Sequence, residues 1–146
     1  MNKGLIASML ALVALLALLT GCGGGDEETL TKAEYVRKGN AICGKWQQAR
    51  GNLFRKMNQE VKPPVTQAKK EAVILTILKP YGTAVEELAD LSLPEGDEKQ
   101  AEKAVTAMEE SYDQARANPG TLMSSSQPFS VANELADDYG LTECTV

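Results

Sequence analysis

Residues 31–60 read TKAEYVRKGNAICGKWQQARGNLFRKMNQE and carry the strongest helix signal in the chain. The segment opens with a capping box, in which the Thr31 hydroxyl and the Glu34 carboxylate each satisfy a backbone N–H that the first turn of a helix leaves free. Apolar side chains then recur at steps of three, four or seven residues, the spacing of one buried helical stripe: Val36, Cys43, Trp46, Ala49, Leu53, Met57 and Val61. The sequence therefore predicts a long helix that ends near Glu60, where Lys62-Pro63-Pro64 stops it.

Three further helices are predicted in the rest of the chain. The second begins near Thr66 and contains Pro80, where we expect the helix to kink or to split. The third begins at Asp97-Glu98-Lys99-Gln100, a second cap-like sequence, and the fourth is a short helix that ends at Gly140. No segment alternates between apolar and polar residues as a strand does. Residues 31–146 are therefore predicted to form one all-α domain, a bundle of about four helices.

The composition excludes much of enzyme chemistry. The chain has 146 residues, enough for one domain, and its 43% hydrophobic and 24% charged residues are typical of a globular protein. It contains no histidine, so neither a Ser-His nor a Cys-His nucleophile pair can form. The acidic residues do not have the spacing of a calcium-binding EF-hand. The sequence thus offers no catalytic residue, metal ligand or cofactor site, and we expect a protein that is not an enzyme.

The N-terminus has the pattern of a signal peptide. Lys3 precedes an apolar run, residues 5–19, which is shorter than the roughly 20 residues that a membrane-spanning helix needs. The run ends in Leu19-Thr20-Gly21-Cys22, and this ending resembles the lipobox of bacterial lipoproteins, in which an apolar residue and two small residues precede a cysteine. The alternative is an ordinary secretory signal peptide in which Cys22 is incidental.

The lipoprotein resemblance implies a lipid anchor. Residues 1–21 would be removed as the signal peptide, and the Cys22 thiol would carry a diacylglycerol. The new amino terminus is a second position that such proteins can acylate. Several acyl chains together hold a protein stably at a membrane. Residues 22–30, which include three glycines and three acidic residues, would then form a flexible, solvated tether. The resemblance implies a location at the extracytoplasmic side of the cell membrane.

The remaining cysteines, Cys43 and Cys144, form an even pair once Cys22 is assigned to the anchor. Disulfides are the default in oxidising compartments outside the cytoplasm, so we expect a structural bridge between the first helix and the C-terminal tail. A redox-active pair is the alternative. Against it, the two cysteines lack C-x-x-C spacing, and no histidine is present to activate a thiolate.

A second resemblance covers most of residues 31–146. The segments Asn40-Ala41-Ile42-Cys43 and Gly140-Leu141-Thr142-Glu143-Cys144 are similar to those of small actinobacterial envelope lipoproteins, which combine an early A-I-C cysteine with a late G-L-x-x-C cysteine. This resemblance implies the bridge between Cys43 and Cys144 and a secreted helical domain. It implies no activity.

Charge is distributed unevenly along the chain. Residues 32–62 carry a net charge of +6, and the chain from Glu86 onward carries −11. The simpler interpretation is that basic and acidic helices lie side by side with mostly solvated ion pairs. The sharper interpretation is that the first helix contacts anionic lipid head groups or wall polymers. A nucleic-acid partner is not expected, because the whole chain carries a net charge of −5.

Two functions outside catalysis fit these features. The first hypothesis is a non-catalytic binding module, attached to the membrane through Cys22, that contacts an envelope protein or polymer through a helical face. The alternative is a carrier or sensor that holds a small ligand or cation between the helices, which requires a pocket. The only tryptophan and three methionines are interpreted as packing residues rather than ligand contacts: Trp46, Met57, Met108 and Met123.

Overall fold

The computed structural model describes residues 29–60 and 62–146 of the chain. The α-helices in this part are α1 Lys32–Glu60, α2 Gln67–Ala89, α3 Glu98–Ala117 and α4 Ser130–Tyr139. Short 3-10 turns at Pro119–Met123 and Gln127–Phe129 connect α3 to α4, and another covers Thr142–Cys144 in the tail. The described residues form no strand, only an isolated bridge between Leu30 and Pro94. The prediction of an all-α bundle of about four helices is confirmed. The predicted signal peptide, Cys22 and the tether up to residue 28 lie outside the described residues.

The first turn of α1 forms the capping box that the sequence predicts. The Glu34 carboxylate accepts hydrogen bonds from the backbone N–H of Thr31 at 3.0 Å and from its hydroxyl at 2.7 Å. The Thr31 hydroxyl oxygen in turn accepts from the Glu34 N–H at 3.3 Å. These bonds hold the pKa of Glu34 below its usual value. Just before the helix, the Leu30 carbonyl accepts from the N–H of Glu95 at 3.0 Å, which fixes the start of the domain to the turn between α2 and α3.

Helix α2 is one continuous helix through Pro80, so of the two expected alternatives, a kink or a split, the split does not occur. Thr66 caps its start by accepting a hydrogen bond from the N–H of Lys69 at 3.3 Å. Proline removes one backbone donor from the ladder, which alone favours a break. Side chains on both sides of the proline are buried in the core, Leu78 before it and Val85 after it. Tertiary packing of this face therefore outweighs the lost hydrogen bond.

The start of α3 differs from the predicted cap. Asp97 occupies the capping position, but its side chain accepts no hydrogen bond from the first turn, because its backbone ψ of 13° departs from the extended conformation that a capping residue adopts. Its carboxylate instead lies 3.2 Å from the Lys32 ammonium group. Glu98 accepts a hydrogen bond from the N–H of Gly96 at 2.9 Å, within a turn where Gly96 has a φ of 84°. The acidic residues at this turn thus tie α3 to the start of α1.

Small residues bring α2 and α3 into close contact. On α3, Ala101, Ala104 and Ala115 are almost completely buried, in agreement with the alanine-rich stripe in the sequence. On α2, Gly82 lies directly against the ring of Tyr112, so closely that no Cβ fits there. The two helix backbones can therefore approach each other at the centre of the core.

The predicted disulfide between Cys43 and Cys144 is present, with an S–S distance of 2.00 Å and a Cα–Cα distance of 4.9 Å. The tail is also held by hydrogen bonds from α1. The Asn40 side chain donates to the Gly140 carbonyl at 2.9 Å and accepts from the Glu143 N–H at 3.0 Å. The bridge therefore joins two segments that already pack against each other.

Candidate functional site

The second half of α1 lies outside the core, although the sequence predicts one buried stripe along the whole helix. Trp46 is the last buried residue of α1, and Leu53 and Met57 are only partly buried. Phe54 is 47% exposed. The reason is length: the 29 residues of α1 span about 43 Å, whereas the 20 residues of α3 span about 30 Å. The shorter helices cannot cover the far end of α1.

A concave, mostly apolar surface, which we call the apolar groove, lies along this uncovered part of α1. It encloses about 580 Å³ between the second half of α1, the first half of α2 and the connector between α3 and α4. Its apolar wall includes Phe54 and Met57 from α1, Val73 and Ile77 from α2, and Leu122 and Met123 from the connector. This volume is within the range of small-molecule binding sites, roughly 300–1,000 Å³.

One end of the apolar groove is closed by three aromatic rings. Tyr81 makes edge-to-face contacts with Trp46 and with Phe129, at ring-centroid distances of 5.2 and 5.4 Å. Trp46 is 3% exposed and Tyr81 is 2% exposed, so the prediction that Trp46 is a core residue is confirmed. Trp46 is at the same time part of the groove wall. We call this the aromatic end of the groove.

The aromatic end contains two polar groups without a partner. Neither the indole N–H of Trp46 nor the phenol group of Tyr81 makes a hydrogen bond within the described part of the chain. Buried polar groups are normally paired, and an unpaired one costs about 1–3 kcal/mol. Burial raises the pKa of Tyr81 well above its ordinary value, so the phenol keeps its proton and remains a donor at neutral pH. Both polar atoms have almost no accessible surface, so a ligand in the groove would pair with them only after neighbouring side chains move.

The charged side chains that line the apolar groove are two cations, Arg50 and Lys70, and Val146 with its terminal carboxylate also belongs to the lining. The Arg50 guanidinium lies over the Trp46 ring, 4.7 Å from its centroid. Partial burial lowers the pKa of Arg50, which still remains a cation at neutral pH because of its very high ordinary value. Ion pairs among the described residues join Lys32 to Asp97 and Lys56 to Glu60, and none involves the two groove cations. The groove therefore combines apolar walls with positive charge.

A second, smaller cavity of about 440 Å³ lies on another side of the contact between α1 and α2. Its lining carries both signs of charge, Lys45 and Lys79 against Glu87, together with the hydroxyls of Thr76 and Thr83. The cavity shares Trp46 with the apolar groove. An acidic side chain thus belongs to its lining, whereas the side chains that line the apolar groove include none.

The other residues singled out in the sequence lie in different places. Met108 is buried in the core, while Met57 and Met123 line the apolar groove and Met123 is 40% exposed. The interpretation of the methionines as packing residues is confirmed for Met108 and stays a prediction for Met57 and Met123. Over residues 29–60 and 62–146, no group of three or more acidic or cysteine side chains is arranged to hold a metal ion. In the same residues, no helix is long and apolar enough to cross a membrane.

Comparisons with protein-family models, with curated proteins and with solved structures found no match to this chain. The apolar groove is therefore the feature of this chain that points to a function. Sequence reasoning did not predict the groove, although one signal was present in the sequence. The predicted first helix is longer than any helix that could cover it, and it carries large apolar residues such as Phe54 and Met57 near its end.

Proposed function

We propose that the protein is a non-catalytic binding protein, anchored by lipid on Cys22 at the extracytoplasmic side of the cell membrane, and that its apolar groove carries or senses a small apolar ligand. The observation that carries this proposal is a groove of about 580 Å³ with apolar walls and two unpaired buried donors at its aromatic end. Concave apolar sites with a few well-placed polar groups are typical of small-molecule binding. Of the two functions considered from the sequence, the groove supports the carrier or sensor.

The proposal of a lipid anchor rests on the sequence Leu19-Thr20-Gly21-Cys22. It is tested by metabolic labelling with a fatty acid in a bacterial host that modifies lipoproteins. We expect label on the intact chain and none on the Cys22→Ala variant. A labelled Cys22→Ala variant, or an unlabelled wild-type chain, would contradict the anchor.

The position of Trp46 provides a direct test of ligand binding. Because it is the only tryptophan and lines the groove, its fluorescence reports on binding in the groove and in the second cavity, which shares Trp46. A fatty alcohol brominated along its chain quenches tryptophan by contact, and Trp46 is too buried to be reached from water. With the intact protein in phosphatidylcholine vesicles, we expect saturable quenching as this probe is added.

Two variants on α2 distinguish groove binding from general adsorption. Val73→Phe places a ring inside the groove, whereas Leu75→Phe places the same ring two residues away, outside the groove lining. We expect quenching to weaken about tenfold in Val73→Phe and to stay unchanged in Leu75→Phe, with both variants still helical by circular dichroism. Equal quenching in both, or no quenching of the wild-type protein, would refute the carrier proposal.

A further inference from the structure

We propose that the ligand of the apolar groove is a single-chain amphiphile with an acidic head group, and that Arg50 at the aromatic end binds this head group. The inference rests on the proposed function, because it names the chemical class of the ligand for the same groove. Its support comes from the charges and hydrogen-bonding groups of the groove, which the binding of an apolar chain alone does not explain.

Arg50 is held in place before any ligand arrives. Its guanidinium lies 4.7 Å from the centroid of the Trp46 ring, a cation–π contact that restricts the side chain to the groove wall. No acidic side chain belongs to the groove lining, and Arg50 makes no ion pair within the described residues, either with an acidic side chain or with the terminal carboxylate of Val146 in the same lining. A guanidinium presents several N–H donors in a planar fork that matches a carboxylate or a phosphate. We therefore expect the ligand to supply the anion that pairs with the Arg50 guanidinium.

The unpaired groups beside Arg50 need the same kind of partner. The indole N–H of Trp46 can only donate a hydrogen bond, and the protonated phenol of Tyr81 can donate one. Both rings meet at the aromatic end, with centroids 5.2 Å apart. An ionised carboxylate or phosphate offers only acceptors, so an acidic head group matches the donors of Arg50, and side-chain movement at the aromatic end would let it reach those of Trp46 and Tyr81 as well. A neutral apolar ligand would leave them unpaired.

The rest of the groove fits a single apolar chain. From Trp46 to Asn58 the lining follows α1 for 12 residues, about 18 Å, so the space is elongated. The second cation, Lys70, lies 11 residues before Tyr81 on α2, about 16 Å along the helix. Arg50 follows Trp46 by a single turn of α1, so the two cations belong to different ends of the groove. The acidic head group therefore binds at the aromatic end, and the chain extends toward Lys70.

The test compares two probes that differ only in the head group, a brominated fatty acid and the brominated fatty alcohol of the same chain length. Both are titrated against Trp46 fluorescence of the intact protein in phosphatidylcholine vesicles. A hexadecyl phosphate competitor then shows whether the site accepts a phosphate in place of a carboxylate. We expect the acid to bind about tenfold more tightly than the alcohol, and the phosphate to displace it.

Arg50→Gln and Lys70→Gln form a matched pair, because each removes one positive charge from the same groove. Arg50→Gln is expected to weaken acid binding about tenfold, the effect of losing one charge-assisted hydrogen bond, and to leave alcohol binding unchanged. Arg50→Lys is expected to restore part of the affinity, since it keeps the charge without the planar fork. Lys70→Gln is expected to change acid binding less than twofold.

The outcomes separate this inference from the proposed function. If acid and alcohol quench Trp46 equally, the groove binds apolar chains but the acidic head group is refuted. If Lys70→Gln weakens acid binding more than Arg50→Gln, the assignment of Arg50 is refuted. If neither probe quenches Trp46, the proposed function itself fails.

Discussion

Removal of the disulfide between Cys43 and Cys144 is expected to lower the free energy of unfolding without changing the fold. The bridge joins residues 101 positions apart, and closing a loop of that size in the unfolded chain is worth roughly 4.7 kcal/mol in the chain-entropy description. That value is large against a typical stability of about 5–15 kcal/mol. We expect the Cys43→Ala/Cys144→Ala variant to lose about 2–5 kcal/mol.

The tail is expected to stay in place in this variant because other contacts hold it. Asn40 makes two hydrogen bonds to the tail, and the Gln47 side chain donates to the Thr145 carbonyl at 2.9 Å. At the very end, the Val146 N–H donates to the Asn133 side chain at 2.8 Å. These bonds do not depend on the bridge, so the variant should retain native helix content at low denaturant.

The assay is urea unfolding followed by circular dichroism, with the oxidised wild-type protein as reference. The unfolded variant is a more open chain, so the slope of the unfolding free energy against urea should also rise. Asn40→Ala is the matched control, because it removes local hydrogen bonds and keeps the bridge; it should cost about 1–3 kcal/mol with an unchanged slope. A double variant that loses less than about 1 kcal/mol, or that has lost its helices before urea is added, would refute this reasoning.

Three further predictions concern single residues of the helices, and the same unfolding assay measures them. Gly82→Ala is expected to cost about 1–3 kcal/mol, because the added Cβ collides with the Tyr112 ring. Gly44→Ala, where the added Cβ meets open space, is expected to stabilise α1 by up to about 1 kcal/mol. If Gly44→Ala lowered the free energy of unfolding more than Gly82→Ala, the contact between Gly82 and Tyr112 would be contradicted. Burial raises the pKa of Tyr35 to about 12, so both states keep its proton below pH 10. From pH 10 to 12 the unfolded chain releases that proton first, so Tyr35 alone should lower the stability by about 3 kcal/mol; Tyr35→Phe removes this contribution and keeps that of Tyr81, whose pKa burial also raises.

The sequence predicts those features of the fold that depend on local chemistry. The capping box of Thr31 and Glu34 forms because both partners lie within one helical turn. The pairing of Cys43 with Cys144 follows from the cysteine count once one cysteine is assigned to the anchor. An expectation based on neighbouring residues fails where a residue pairs with one that is distant in the sequence. Asp97 forms an ion pair with Lys32 instead of capping α3.

The apolar groove could not be predicted in the same way, because it depends on how far each helix reaches. Periodicity places Leu53 and Met57 on the same stripe as Trp46, but it does not say where the neighbouring helices end. The same limit applies to Pro80, where a rule for isolated helices predicts a break and the buried side chains around the proline keep α2 intact.

The positive charge of this molecule has two proposed roles. Exposed basic side chains attract the membrane at which the lipid anchor holds the protein, and Arg50 binds the acidic head group of the ligand. Residues 50–70, which include both groove cations, contain six basic side chains against one acidic side chain, so this segment carries a net charge of +5. Exposed charges of this kind attract an anionic membrane surface, and salt screens that attraction over about 10 Å at 0.1 M ionic strength. Arg50 is partly buried against Trp46, where screening is weaker. Raising the salt concentration should therefore weaken contact with anionic vesicles strongly and binding of the acidic chain only slightly, and equal losses would mean that Arg50 acts as surface charge rather than as part of the groove.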